Sequence, residues 1–71
     1  MKDEDKAKLK TLFGYWIEHN REHGEEFKEW AGKIKESGEA EIADELLKAA
    51  EVMDNATEHL VRASDMFGKK E

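Results

Sequence analysis

The sequence predicts an all-α protein built as an antiparallel two-helix hairpin, and three observations carry that expectation. Proline is absent, β-branched residues are few, and the good helix formers alanine, glutamate, lysine and leucine are abundant. The larger apolar residues recur at helical spacing, so that at 100° per residue they draw a stripe along one face. They do so in two blocks, separated by "KESGEAE", which reads as a helix stop followed by a helix start.

The first helix is expected over residues 4–36. Its stripe runs Leu9, Leu12, Phe13, Trp16, Ile17, Phe27, Trp30, Ala31 and Ile34. Gly14, Gly24 and Gly32 weaken it, and a break at Gly24 would give three helices. The stripe keeps its phase across Gly24, which favours one continuous helix. Gly38 supplies the left-handed residue that ends it, with Lys33 and Lys35 near the negative end of the helix dipole. Glu39 and Glu41 then stand at the positive start of the second helix, expected over residues 39–67. Its stripe runs Ile42, Ala43, Leu46, Ala49, Ala50, Met53, Ala56, Leu60, Ala63 and Phe67, and Gly68 with two lysines repeats the stop signal. The run "KDEDK" and the tail "GKKE" are expected as solvated, frayed ends.

A chain of 71 residues makes one small helical domain, residues 1–71, whose core is marginal unless something reinforces it. With no cysteine, disulfides and zinc–cysteine sites are excluded, a composition that fits a reducing cytoplasm. Acidic residues outnumber basic ones 18 to 12, for a formal charge of −6, and the basic residues are scattered. Nucleic acid and anionic membranes are disfavoured partners for such a surface. No apolar run is long enough to span a bilayer, and "MKDEDKAKLK" is too charged for a secretory signal.

Packing considerations point to self-association. The rings of Phe13, Trp16, Phe27 and Trp30 are expected to fill the core against the alanines of the second helix. Yet the second helix is apolar over more than half its circumference once Leu47, Ala50 and Val61 are counted, more than one neighbouring helix covers. A homodimer forming a four-helix bundle is therefore expected, with Trp16, Trp30, Leu47 and Val61 in its interface and a monomer as the alternative.

The polar residues within and beside the stripes are the candidates for function. Asn20 falls inside the first stripe, His23 at its inner edge and His19 on its border, and Thr57 and Ser64 fall inside the second stripe. A level fold sets residue i opposite roughly 75 − i, which puts His59 beside Trp16, about 4–5 Å along the axis from His19 and about 10 Å from His23. All three histidines then share one flank with Leu12, Trp16, Trp30, Val52 and Ala63.

Three chemistries compete for "HNREHG". His19-x-x-Glu22-His23 matches the H-x-x-E-H pattern of inverted zinc peptidases, but that chemistry needs a third ligand, an open coordination position and a cleft that so small a hairpin hardly offers. No serine or threonine has a recognisable base and orienter, and the chain is read as a non-enzyme. Alternatively, His19 and His23, four residues apart on one helix face, chelate a divalent transition metal, with His59 and carboxylates such as Glu22, Glu26 or Glu58 completing the shell within the chain or across a dimer. Imidazole with oxygen suits nickel, zinc or copper. The third reading is structural: Asn20 reaches Thr57 across the core, the histidines neighbour the tryptophans, and the module serves protein–protein interaction without a metal.

The stretch "YWIEHNREHGEEFKEWAGKIKESGEAEIADELLKAAEVMDNATEHL" carries a further signal. With W-I-E-H-N-x-x-H followed by E-E-F-x-x-W-A, a glycine-containing turn and an alanine-rich helix, it resembles a small uncharacterised helical-hairpin domain of bacteria and archaea over residues 12–67. Trp16, Glu18, His19, Asn20, His23, Glu26, Phe27 and Trp30 match the motif, whereas Gly24 stands where that pattern has alanine and His59 lies outside it. The resemblance implies metal handling, because such domains accompany small nickel-binding accessory proteins of carbon monoxide dehydrogenase. A non-enzymatic module binding nickel or zinc through His19 and His23, helped by His59 and Glu22, is thus the expected function. Glu18 and Glu22 would orient the imidazoles, and a metal ion or metallochaperone would be the partner beside the homodimer.

Overall fold

The hairpin is made at Ser37 and Gly38. Gly38 adopts φ +92°, a left-handed conformation that costs a side-chain-bearing residue about 1–2 kcal/mol and glycine almost nothing. Around it the last carbonyls of the first helix are satisfied in sequence. The Gly38 amide donates to the Lys35 carbonyl at 3.0 Å, and the Glu39 amide donates to the Ile34 carbonyl at 3.2 Å. This paired pattern is the Schellman closure. The Ser37 hydroxyl adds a third bond to the Ile34 carbonyl at 2.7 Å.

In the computed structural model, residues 1–70 are described, with side chains through residue 69; Glu71, at the end of the tail expected to fray, lies outside them. Helix α1 spans Asp3–Glu36 and α2 spans Ala40–Lys70, packed on each other as a hairpin 52 × 15 × 13 Å in extent. No strand occurs among the described residues. The helix α1 is continuous through Gly24, as the unbroken phase of its stripe implied.

Both outer ends differ from expectation. The run "KDEDK" is not frayed: Asp3, Glu4 and Asp5 form the first turn of α1, where three carboxylates favour the positive end of the dipole. Gly68 does not stop α2, which runs through it to Lys70. A glycine ends a helix only where the chain takes the left-handed conformation, and among the described residues only Gly38 does so.

The helices meet along a seven-residue repeat. From Phe13 onward the seam positions of α1 are Phe13, Ile17, Asn20, Gly24, Phe27, Ala31 and Ile34, and those of α2 are Ala43, Leu46, Ala50, Met53, Thr57, Leu60, Ser64 and Phe67, all buried or half-buried; Lys6, Leu9, His23 and Val61 are half-buried outside this repeat. Steps of three and four residues alternate without interruption, which is the spacing of a coiled-coil seam. The closest approach is made by small residues. Ala43, Ala50 and Ala31 are at most 2% exposed. Gly24 is buried so tightly that a Cβ there would stand 3.2 Å from Asp54 Oδ1. At the open end of the hairpin Phe13 closes the seam, its ring 6.0 Å from Phe67 and edge-on to Trp16 at 5.9 Å.

This seam corrects the expected core. Trp30 is 55% exposed and Trp16 37%, so neither fills the space between the helices. Ile42, Ala49, Ala56 and Ala63 are exposed as well. The physical reason is width: the apolar stripes span about two rows of side chains, and a single neighbouring helix covers one. The register differs too. A level fold would put Gly24 opposite Glu51, but it lies against Met53 and Asp54. That slip of two to three residues moves His59 from the level of Trp16 to that of Glu18 and His19.

The polar core contact is also redrawn. Thr57 is 6% exposed, yet its hydroxyl donates to the Met53 carbonyl one turn back at 2.9 Å rather than reaching Asn20. A threonine inside a helix finds that acceptor without any partner from the other helix.

The glycines give two opposed predictions. Gly14 and Gly32 have open space where a Cβ would go. Gly14→Ala and Gly32→Ala should therefore each stabilise the protein by about 0.5–1 kcal/mol, raising the melting temperature by several degrees. Gly38→Ala should lower stability by about 1–2 kcal/mol. Thermal and urea denaturation of the three variants, read at 222 nm, checks both signs.

Candidate functional site

Four aromatic or imidazole side chains at successive four-residue steps form a ladder along α1: Tyr15, His19, His23 and Phe27. Tyr15 stacks on His19 with ring centroids 5.3 Å apart, and His23 stacks on Phe27 at 6.1 Å. Between them the two imidazoles stand perpendicular, 4.3 Å apart. Each four-residue step advances about 40° around the helix, so the ladder winds from exposed Tyr15 to half-buried Phe27. Rings at i and i+4 lie over one another because helical side chains lean toward the N-terminus.

Within the ladder, His19 Nε2 and His23 Nε2 are 2.9 Å apart. That is the spacing of a hydrogen bond between the two rings, in which one nitrogen donates and the other accepts. The other nitrogen of His23, Nδ1, faces Glu26 Oε2 at 3.4 Å. A carboxylate behind one imidazole nitrogen fixes the ring and presents the opposite nitrogen outward, the arrangement found behind metal-bound histidines. Glu26 holds this place, not Glu18 or Glu22. Those two line a shallow hollow of about 120 Å³ with Tyr15 and His19.

The remaining expected ligand stays apart from the pair. Among the described residues, no group of three histidine, aspartate or glutamate side chains is arranged to hold one ion. His59 is exposed on α2. It shares a flank and a level with His19, and makes no three-ligand group with the pair.

The two flanks of the hairpin differ in chemistry. One carries Arg21, Asp54, Glu58, Val61 and Arg62 around a hollow of about 450 Å³, and Lys28 bridges the helices to Asp54 at 3.3 Å. The other carries a groove of about 590 Å³ in which Phe27 lies with Glu45, Ala49, Val52, Met53 and Ala56. Two antiparallel helices present edges of the same angular sign on the same side, so Leu12, Trp16, His19, His23 and Trp30 join that second flank. The expected interface residues therefore divide. Trp16 and Trp30 lie on the apolar flank; Val61, and Leu47 two turns below Asp54, lie on the polar one.

Sequence reasoning found the histidine pair and its flank but missed Tyr15 as a support and gave Glu26 only a secondary place. The four-residue spacing of Tyr15 and Phe27 from the histidines was the available signal for the ladder. Glu26 stands three residues beyond His23, a step that also meets on a helix face.

No solved structure matches the chain. An uncharacterized protein of Archaeoglobus fulgidus is 48% identical over 61 residues, which cover 86% of this chain and 97% of the relative. The model of a domain of unknown function, DUF8180, matches residues 9–67, most of both helices and the turn between them, and the chain belongs to that family.

Proposed function

We propose that this chain is a non-enzymatic helical module that assembles as a homodimeric four-helix bundle and binds a divalent transition metal, nickel or zinc, through His19 and His23. The observation that carries the reading is the 2.9 Å separation of the two Nε2 atoms with Glu26 behind His23. Two imidazole nitrogens about 2.0–2.1 Å from one ion stand about 2.9 Å apart at a right angle and about 3.3 Å apart at the tetrahedral angle. An ion taking the place of the hydrogen bond meets nitrogens near the required spacing once the rings turn to aim both lone pairs at it, and the right angles of nickel ask for less separation of the rings than tetrahedral zinc does. The resemblance to domains that accompany nickel-binding accessory proteins supports the same choice and makes a metallochaperone the natural partner.

A second reading rests on a different observation. The apolar flank exposes Trp30 at 55% and Val52 at 66%, which fits a pure interaction module in which the histidines only border a protein contact.

Calorimetric titration with nickel and zinc separates the two. Wild-type protein should bind nickel with a dissociation constant below about 100 μM (roughly −5.5 kcal/mol), more tightly than zinc. His19→Ala/His23→Ala should abolish that binding, and Glu26→Gln should weaken it about tenfold. Affinity should fall as the pH is lowered, because a proton competes for the nitrogen lone pair. Weaker binding by the wild type, or binding unchanged by the double substitution, leaves the interaction module.

A further inference from the structure

Every seam position of α2 has a neighbour one residue earlier that lies on the apolar flank. Those neighbours, among them Ile42, Ala49, Val52, Ala56 and Ala63, repeat the same three- and four-residue steps and are all exposed. On α1 the residues one before the seam repeat the same steps, giving Leu12, Trp16, His19, His23, Glu26, Trp30 and Lys33, all exposed except the half-buried His23. The hairpin thus carries a second coiled-coil seam on each helix, side by side with the one already filled.

The exposed surface says that something covers it. The chain exposes 5668 Å², whereas a folded monomer of 8.2 kDa exposes about 4,500 Å². Its radius of gyration is 16.1 Å against about 11 Å for a compact domain of this length. A flank 52 Å long and 15 Å wide offers on the order of 800 Å² per copy, the size of a standard stable interface.

We infer that a second copy of the chain docks on this flank about a two-fold axis parallel to the helices, so that His59 of the partner subunit completes the site of His19 and His23. The last clause rests on the metal reading proposed above; the docking does not. An axis parallel to the helices keeps every residue at its own height. Helix α1 of one copy then meets α2 of the other in the register that the hairpin itself uses, fixed by Gly24 against Met53 and Asp54.

Side chains lean about one residue toward their own N-terminus, so facing tips pair one or two residues later than the backbone level. In that register Trp30 falls on Ala49 of the partner subunit and Trp16 on Ala63 of the partner subunit. Lys33 meets Glu45 of the partner subunit, opposite in charge. His19 meets His59 of the partner subunit, a third imidazole that the single chain does not bring to the pair. A perpendicular axis would stack the two ring-bearing faces on each other and the two alanine rows on each other. The rings would hold one helix pair apart while the alanines let the other close, a mismatch that close packing disfavours.

The chain has no cysteine, which makes disulfide trapping clean. Lys33→Cys and Glu45→Cys, purified separately, should form a covalent dimer on mild oxidation when mixed, while each alone remains largely uncrosslinked. A mixture that does not crosslink, or either variant crosslinking as readily alone, overturns the docking. For the shared site, His59→Ala should weaken nickel binding at least tenfold. Mixing it with His19→Ala/His23→Ala should restore tight binding in the mixed dimers, which hold one intact set of three histidines. Nickel binding that depends on His19 and His23 but is indifferent to His59→Ala overturns the shared site and leaves the two-histidine reading. Crosslinking of the mixed cysteine variants, together with a wild-type protein that binds no nickel, overturns the metal reading and leaves the docking.

Discussion

A single helix covers one row of another helix, and this chain has two rows to cover. On α2 the row from Ala43 through Ala50 and Thr57 to Phe67 is met by α1, while the adjacent row from Ile42 through Ala49 and Val52 to Met66 faces outward. That constraint accounts for the main departures of the structure from a self-sufficient domain. It exposes Trp30, thins the buried core to small residues and leaves the molecule long and narrow. A hairpin of two layers has nowhere else to place a second apolar row, because each helix already spends its inner face on the other.

The same constraint locates the chemistry. The seam uses Gly24 and Phe27, so the residues just before them are set at the edge of the apolar flank, His23 half-buried and Glu26 exposed. There a histidine keeps access to a ligand while Phe27 packs against its ring and Glu26 holds its Nδ1. On the other side Tyr15 packs against His19. Two side chains with few remaining rotamers lose little entropy when a ligand fixes them, which is what a preorganised pair contributes to affinity. The rigid part is the helix itself, since both histidines project from one uninterrupted turn.

Helix number, turn and pair were legible in the sequence because each depends on local rules. Spacing gave α1 and α2, Gly38 with its flanking charges gave the turn, and the four-residue interval gave the histidine pair. Three things were not legible, each for a physical reason. Gly68 carries the same local signal as Gly38, but it keeps a helical conformation and α2 runs through it, since a glycine permits the left-handed turn without imposing it. Which of two adjacent apolar rows becomes the seam depends on how closely two backbones approach, and that is decided by Gly24 and the alanines acting together across the helices. The register shift that brings His59 level with His19 follows from the same close approach at Met53 and Asp54. Thr57 shows the limit of pairing arguments: it looked like a partner for Asn20 and bonded its own helix instead.

The asymmetry between the flanks bears on how such a molecule associates. One flank combines rings, alanines and imidazoles; the other presents Arg21, Lys28, Asp54 and Glu58, with Lys28 and Asp54 already paired. Had both flanks been apolar, each copy would offer two different sticky faces, and head-to-tail contacts would propagate into open filaments. With one apolar flank, the docking proposed above uses the same surface on both copies, which is the condition for a closed two-fold pair. The net charge of −6 works in the same direction, since two joined hairpins repel a third. In the proposed dimer the polar face matters as much as the apolar one: it would limit association to a single partner, and with it the number of histidines that could meet at one site.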